Sequence, residues 1–90
     1  MLIARLCRIT GRVQGVGFRY WAEREAARLG VVGWVRNVAS GVEAVVQGEE
    51  AMVEAMIAKF HEGPWGARVQ SVDVSVVHPE PTWERFEVRD

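Results

Sequence analysis

This 90-residue chain contains one cysteine, one lysine and one asparagine, and it has no long hydrophobic run. The single Cys7 excludes an internal disulfide, and no cysteine or histidine spacing is typical of a metal site. Because Cys7 lies in an apolar segment, we expect it to be buried as a small hydrophobic residue. No stretch reaches the roughly 18 apolar residues needed to cross a membrane, and no signal peptide is evident. We therefore predict no cofactor, no bound metal, no membrane association and a cytoplasmic location.

An excess of charge of one sign is also missing. Eleven basic and twelve acidic residues give a formal net charge of −1, and the arginines are spread along the chain. Such a charge provides no field that attracts nucleic acid or anionic lipid. The length predicts a single domain, and a monomer is the simplest assembly. The low amide content with many arginines and glutamates fits a heat-stable protein, with a melting temperature above about 60 °C, and fits the codon bias of an organism equally well.

Hydrophobic periodicity predicts two helices and five strands. Phe18, Ala22, Ala26 and Leu29 recur at helical spacing, whereas the other apolar runs mostly alternate. This order predicts an α+β fold of the ferredoxin-like split βαβ type, with two helices on one face of a mostly antiparallel five-stranded sheet. The predicted elements are strand 3–13, helix 18–29, strands 31–38 and 42–47 around the turn 39–41, helix 48–61, and strands 69–77 and 83–89.

A glycine-rich segment separates the first predicted strand from the first helix: Gly11-Arg12-Val13-Gln14-Gly15-Val16-Gly17-Phe18-Arg19. Glycines allow a loop to turn several N–H groups inward as an anion-binding nest. The helix start adds unpaired N–H groups and partial positive charge, and Arg19 adds a planar fork of donors that matches phosphate oxygens. We predict a phosphate site here, the alternative being a glycine-rich turn with a solvated arginine. Neither the Walker motif nor the dinucleotide fingerprint is present, which argues against an NTPase or a dehydrogenase.

Five segments of the chain form a set of motifs: Gly11-x-Val13-Gln14-Gly15-Val16-x-Phe18-Arg19, Gly33-Trp34-Val35-x-Asn37, Gly41-Val42-Glu43, Gly63-Pro64 and Phe86-Glu87-Val88. They resemble those of the acylphosphatase family, and the resemblance runs along the whole chain. It implies the same ferredoxin-like fold, no cofactor, and hydrolysis of a small-molecule acyl phosphate to a carboxylate and inorganic phosphate. The chain departs from the family at the turn, where Ser40 stands in place of the more usual aspartate.

The same resemblance implies the functional residues. Arg19 matches the phosphate-binding arginine of the family, and Asn37 matches its water-positioning asparagine. An amide can donate to one partner and accept from water, but it is too weak a base to deprotonate that water. The proton acceptor is then an oxygen of the substrate phosphate. The N–H groups of a phosphate-binding loop would complete the site, and that loop consists of Gln14, Gly15, Val16, Gly17, Phe18 and Arg19. Within it we expect Gln14 to shape the loop rather than to react.

The chain offers no recognisable general acid or base. His61 and His78 fall at the ends of predicted elements and are expected at the surface, and Glu43 and Asp73 are expected to be solvated. An acyl phosphate tolerates this, because its leaving group is a carboxylate whose acid has a pKa of about 4 and needs no protonation. Phosphoryl transfer depends mainly on positioning and electrostatic stabilisation. Chelators are therefore expected to have no effect.

A binding module remains the alternative, since one fold supports several functions. Binding of RNA is disfavoured by the charge distribution. A phosphate sensor without turnover would need Arg19 and the loop but not a water-positioning amide, so Asn37 favours an enzyme. An acylphosphatase-like domain also begins larger hydrogenase-maturation proteins, and the length of 90 residues argues against that context.

Overall fold

We describe residues 1–90 from a computed structural model. The elements along the chain are β1 (Leu2–Arg12), α1 (Phe18–Leu29), β2 (Val32–Val38), β3 (Gly41–Glu49), α2 (Glu50–Glu62), β4 (Arg68–Val77) and β5 (Phe86–Arg89). The five strands form one sheet in the order β4-β1-β3-β2-β5, and the two helices complete the fold.

The sheet is mixed. β1 pairs with both β3 and β4 in antiparallel fashion, and β2 pairs with β3 in the same way. Only the short β5 runs parallel to its neighbour, β2. The predicted mostly antiparallel sheet and the α+β class are therefore confirmed.

Both helices pack on one face of the sheet, and the core lies between the two layers. Phe18 of α1 stacks on Phe60 of α2 with ring centroids 6.0 Å apart. Cys7 points into this layer and is fully buried, as expected, and burial raises the pKa of its thiol to about 12. The fifteen buried residues of the core are Cys7, Ile9, Val13, Phe18, Ala22, Ala26, Val31, Val35, Val42, Ala44, Val46, Val53, Met56, Phe60 and Phe86.

Two predicted elements start two or three residues too early. The second helix begins at Glu50 rather than at residue 48, because Gly48 still pairs with Ile3 in the β1–β3 ladder. The last strand begins at Phe86 rather than at residue 83. Trp83 belongs to a turn, in which its N–H donates to the carbonyl of Glu80 at 3.2 Å. In both cases pairing with a distant segment or a local turn decides the boundary, and hydrophobic alternation reports neither.

The connection between β4 and β5 crosses the sheet, because these strands lie at opposite edges. It crosses the face that carries no helix, where the side chain of Gln47 lies because the neighbouring Val46 points into the core. Gln47 anchors it. Its Nε2 donates to the carbonyl of Glu80 at 2.8 Å, and its Oε1 accepts from the N–H of Glu80 at 2.6 Å. The Gln47 side chain is buried, and this reciprocal pair satisfies both ends of its amide. The anchored crossing delivers β5 to the edge beside β2, which brings the last residues of the chain close to the start of α1.

Glu43 corrects another prediction. It is half-buried on the helix-free face, where its carboxylate accepts from Arg36 Nη2 at 2.7 Å and from Arg8 Nε at 3.2 Å. The hydrogen bond from Arg36 is the main cause that lowers the pKa of this carboxyl. Three adjacent strands supply the three charges, so the ion pair depends on the strand order. Asp73 is exposed, as expected, and so are the two histidines, His61 and His78.

Candidate active site

Residues 13–17 connect β1 to α1 in a tight loop. Gly15 and Gly17 have φ angles of 74° and 76°, in the left-handed region that residues with a Cβ adopt only at a cost. A Cβ at either position would meet no atom within 4 Å, so conformation rather than crowding favours glycine here. The two left-handed residues reverse the chain direction between the strand and the helix.

A continuous run of main-chain N–H groups in this segment has no acceptor within the protein. The N–H of Val13 donates to the carbonyl of Gly11, and the N–H of Trp21 donates to that of Gly17 as the first bond of α1. Between them, the N–H groups of residues 14–20 are unpaired. The N-cap of α1 is Gly17, which has no side chain to cap the helix. Unpaired N–H groups at a helix N-terminus attract anions.

Arg19 adds a permanent positive charge to the same helix start. The first turn of α1 contains no acidic residue, although a helix dipole favours negative charge there. Nη1 of Arg19 donates to the carbonyl of Arg89 at 2.8 Å and lies 3.9 Å from Oδ1 of Asp90. The Arg19 side chain is only 23% exposed. The end of β5 thus holds the guanidinium beside the unpaired N–H groups.

Asn37 lies one residue before the end of β2, and its side chain is exposed. Strand pairing brings it beside the loop, so Asn37 and Arg19 line one concavity of about 150 Å³. None of the lining residues is a histidine, cysteine, aspartate or glutamate. They are Val13, Gln14, Gly15, Gly17, Phe18, Arg19, Tyr20 and Asn37.

Most of the predicted site residues therefore meet at this concavity. Val16 does not line it, because its side chain packs against the core, and it offers only its unpaired N–H. Phe18 is also buried, so its ring belongs to the core while its N–H stays unpaired.

Sequence reasoning missed two contributors to this site. Tyr20 lines the concavity, and its ring centroid lies 5.9 Å from the guanidinium carbon of Arg19. Its position in the first helical turn next to Arg19 was a usable signal. Arg89 contributes a main-chain carbonyl, for which no side-chain pattern exists.

Gln14 connects the loop to the hairpin formed by β2 and β3. Its Nε2 donates to the carbonyl of Val38 at 2.6 Å and to the carbonyl of Gly41 at 2.8 Å. The hairpin itself closes with a two-residue turn, in which Val38 pairs with Gly41 and neither Ala39 nor Ser40 has a positive φ. The serine in place of the more usual aspartate is thus accommodated.

Three larger concavities, of about 430, 400 and 310 Å³, lie near residues 82–89 and the adjacent side of α1, and each is lined by both glutamates and arginines. The carboxylates in each are at least as numerous as the arginines, so none has an excess of positive charge. The smaller concavity has Arg19 and no carboxylate among its lining residues, which makes it the better match for an anion. No group of three or more histidine, cysteine, aspartate or glutamate side chains is arranged to hold a metal ion. None of the helices has the length and hydrophobicity to span a membrane.

A mixed sheet with two helices on one face defines a ferredoxin-like α+β domain, and its first helix begins with unpaired N–H groups beside an arginine. The chain belongs to the acylphosphatase family, whose sequence model matches residues 6–88. It is 57% identical over 74 residues to the acylphosphatase of Thermococcus kodakarensis, a match that covers 81% of each chain.

Solved structures agree with this assignment. The acylphosphatase of Bacillus subtilis superposes with a TM-score of 0.89 and 32% identity, over the full length of both chains. Full-length HypF contains a domain with a TM-score of 0.93 and 32% identity, which covers all of this chain and 12% of that one. The resemblance seen in the sequence is confirmed. The chain is an enzyme of the acylphosphatase type, and this family hydrolyses acyl phosphates.

Proposed function

We propose that the concavity lined by residues 14–19 and Asn37 is the active site for acyl phosphate hydrolysis. Residues 14–19 are called the phosphate loop from here on. The observation that carries this proposal is the run of unpaired N–H groups beside Arg19. Without an anion, a positive side chain at the positive end of a helix is locally unfavourable. A bound phosphoryl group provides the negative charge and the acceptors that this arrangement lacks.

In the proposed mechanism the N–H groups and the guanidinium bind the phosphoryl oxygens. Arginine presents two parallel donors, so it can contact two oxygens at once. In the transition state the equatorial oxygens carry the charge while the attacking and leaving oxygens lie in line. Donors held in place by Arg89 and by the loop geometry stabilise that charge without reorganising.

The attacking water is oriented by Asn37. Its side-chain amide accepts from or donates to the water, and its exposed position beside Arg19 leaves it accessible. The proton of the water passes to a phosphoryl oxygen, since no side chain at the concavity is a suitable base. The departing carboxylate needs no proton, because its conjugate acid has a pKa of about 4. The proposed reaction uses no metal ion.

We also propose that the enzyme acts as a monomer in the cytoplasm. The phosphate loop and Asn37 meet within one chain, so the proposed site needs no second copy in order to form. The only thiol is free and buried, so folding needs no oxidising compartment. Size-exclusion chromatography with light scattering and subcellular fractionation would test these two points.

Hydrolysis of benzoyl phosphate, followed by ultraviolet absorbance with EDTA present, tests the proposed site. We expect turnover by the wild type, and a loss of roughly 100-fold or more in kcat/KM in both Arg19→Ala and Arg19→Lys, because an ammonium cannot make the bidentate contact. Arg24→Ala is the matched control, since Arg24 is exposed on the same helix outside the concavity. A fully active Arg19→Ala variant would overturn the assignment, as would a folded wild type without turnover.

A further inference from the structure

Gln14 links two segments that main-chain hydrogen bonds leave separate. The β1–β3 ladder ends at the pair Thr10 and Gly41, and none of the main-chain hydrogen bonds outside helices and strands joins residues 13–17 to β2. The Gln14 side chain bridges that gap. With its two N–H donors it contacts Val38 on one strand of the hairpin and Gly41 on the other.

Val38 directly follows Asn37 in β2, so one of these hydrogen bonds is made one residue from the proposed water-binding amide. We infer that Gln14 is a positioning residue: it holds the hairpin against the phosphate loop and thereby sets the place of Asn37 relative to the bound phosphoryl group. This inference rests on the proposed function. Gln14 itself need not contact the reacting atoms through its side chain, because both of its donors are used by the hairpin.

The two acceptors explain why a glutamine suits this position. Both partners are carbonyl oxygens, which require donors, and a side-chain amide has two N–H bonds on one nitrogen. Methionine has a similar length and no donor. A glutamate carboxylate has the same shape, but when ionised it offers only acceptors to two carbonyls. We therefore expect kcat at neutral pH to be highest in the wild type, lower in Gln14→Met and lowest in Gln14→Glu.

The first test measures the effect of Gln14→Met on kcat and on phosphate binding separately. If the loss of two hydrogen bonds of ordinary net strength is felt fully in the transition state, kcat on benzoyl phosphate should fall by roughly 30-fold in Gln14→Met. The inhibition constant for inorganic phosphate should change by less than about three-fold, because Arg19 and main-chain N–H groups bind it. Gln70→Met, at an exposed position on the edge strand β4, is the matched control and should behave as wild type. Circular dichroism checks that each variant is folded.

The second test is a double-mutant cycle with Asn37→Ala. If Gln14 acts through Asn37, adding Gln14→Met to Asn37→Ala should lower kcat by less than about two-fold further, and the effects will not be additive. In Gln14→Glu, protonation of the new carboxyl restores one donor, so the ratio of its kcat to that of wild type should rise as pH falls towards about 4.

Additive losses would overturn the inference, and so would a raised phosphate inhibition constant with unchanged kcat, which would place Gln14 in phosphate binding. Unchanged kinetics in Gln14→Met would also overturn it. These outcomes are distinct from failure of the proposed function. Loss of that function appears as an inactive wild type or an active Arg19→Ala variant, and either result would remove the basis for the inference as well.

Discussion

Arg19 donates from Nη1 to the main-chain carbonyl of Arg89 at 2.8 Å, across a sequence separation of 70 residues. This bond joins the first turn of α1 to the end of β5. The acceptor is a main-chain carbonyl, which every amino acid carries. The position of the guanidinium therefore depends on where β5 lies and not on the side chain at residue 89. The crossing of the β4–β5 connection, anchored by Gln47, is what puts β5 there.

Arg89→Ala should therefore keep kcat/KM within about five-fold of wild type, because the Arg89 side chain makes a surface ion pair and a cation–π contact with Trp34 and does not line the concavity. Removal of residues 89–90 deletes the carbonyl and should lower kcat/KM by roughly ten-fold or more. Benzoyl phosphate hydrolysis measures both. A large loss in Arg89→Ala alone would show that the side chain, not the carbonyl, is needed.

Asn37→Ala should lower kcat by roughly 100-fold while KM changes little, because the amide acts on the attacking water and not on the bound phosphoryl group. Steady-state kinetics provide both constants, and inhibition by inorganic phosphate gives an independent measure of anion binding. Ser40→Ala, in the adjacent turn, is the control, since residue 40 does not line the concavity. Equal kcat in Asn37→Ala and wild type would refute the proposed role.

Inorganic phosphate should stabilise the folded protein. A ligand at 100 times its Kd adds about 2.7 kcal/mol to the free energy of unfolding, which raises the Tm of a domain of this size by roughly 10–20 °C. Arg19→Ala should lose most of this shift, and Arg24→Ala should retain it. Differential scanning calorimetry at constant ionic strength, with chloride replacing phosphate, measures the effect. Equal shifts in wild type and Arg19→Ala would argue against the phosphate loop as the binding site.

The pair of arginines around Glu43 predicts a pH effect on stability. Arg36 and Arg8 lower the pKa of the Glu43 carboxyl in the folded protein relative to the unfolded chain. A lowered folded pKa means that this stabilisation is present above the unfolded pKa of about 4.3 and is lost as pH falls through the folded pKa. Glu43→Gln should therefore destabilise the protein at pH 7 more than at pH 3.

Urea unfolding at the two pH values measures this difference, and Glu54→Gln on the exposed side of α2 is the matched control. The control should change the free energy of unfolding by less than about 0.5 kcal/mol at either pH. An equal loss at pH 7 and pH 3 in Glu43→Gln would show that ionisation of this carboxyl contributes nothing.

Local signals in the sequence predicted most of the fold. Phe18, Ala22 and Ala26 lie at helical spacing and are buried against the sheet, as the pattern indicates. The errors fall where distant pairing decides a boundary, as at Gly48, or where a turn interrupts an apparent strand, as at Trp83. Glu43 shows the same limit, because only the strand order reveals that two arginines flank it.

By itself the sequence determined the family, the order of helices and strands, and the residue types of the site, because these depend on side-chain chemistry and spacing along the chain. Only the tertiary structure decided that Asn37 lies beside Arg19, and that Gln14 reaches Val38 and Gly41. It also supplied the carbonyl of Arg89. The physical reason is that the placement of Asn37 depends on strand pairing, and that the acceptors for Gln14 and Arg19 are main-chain oxygens. Every residue carries one, so its use depends on where the folded chain places it.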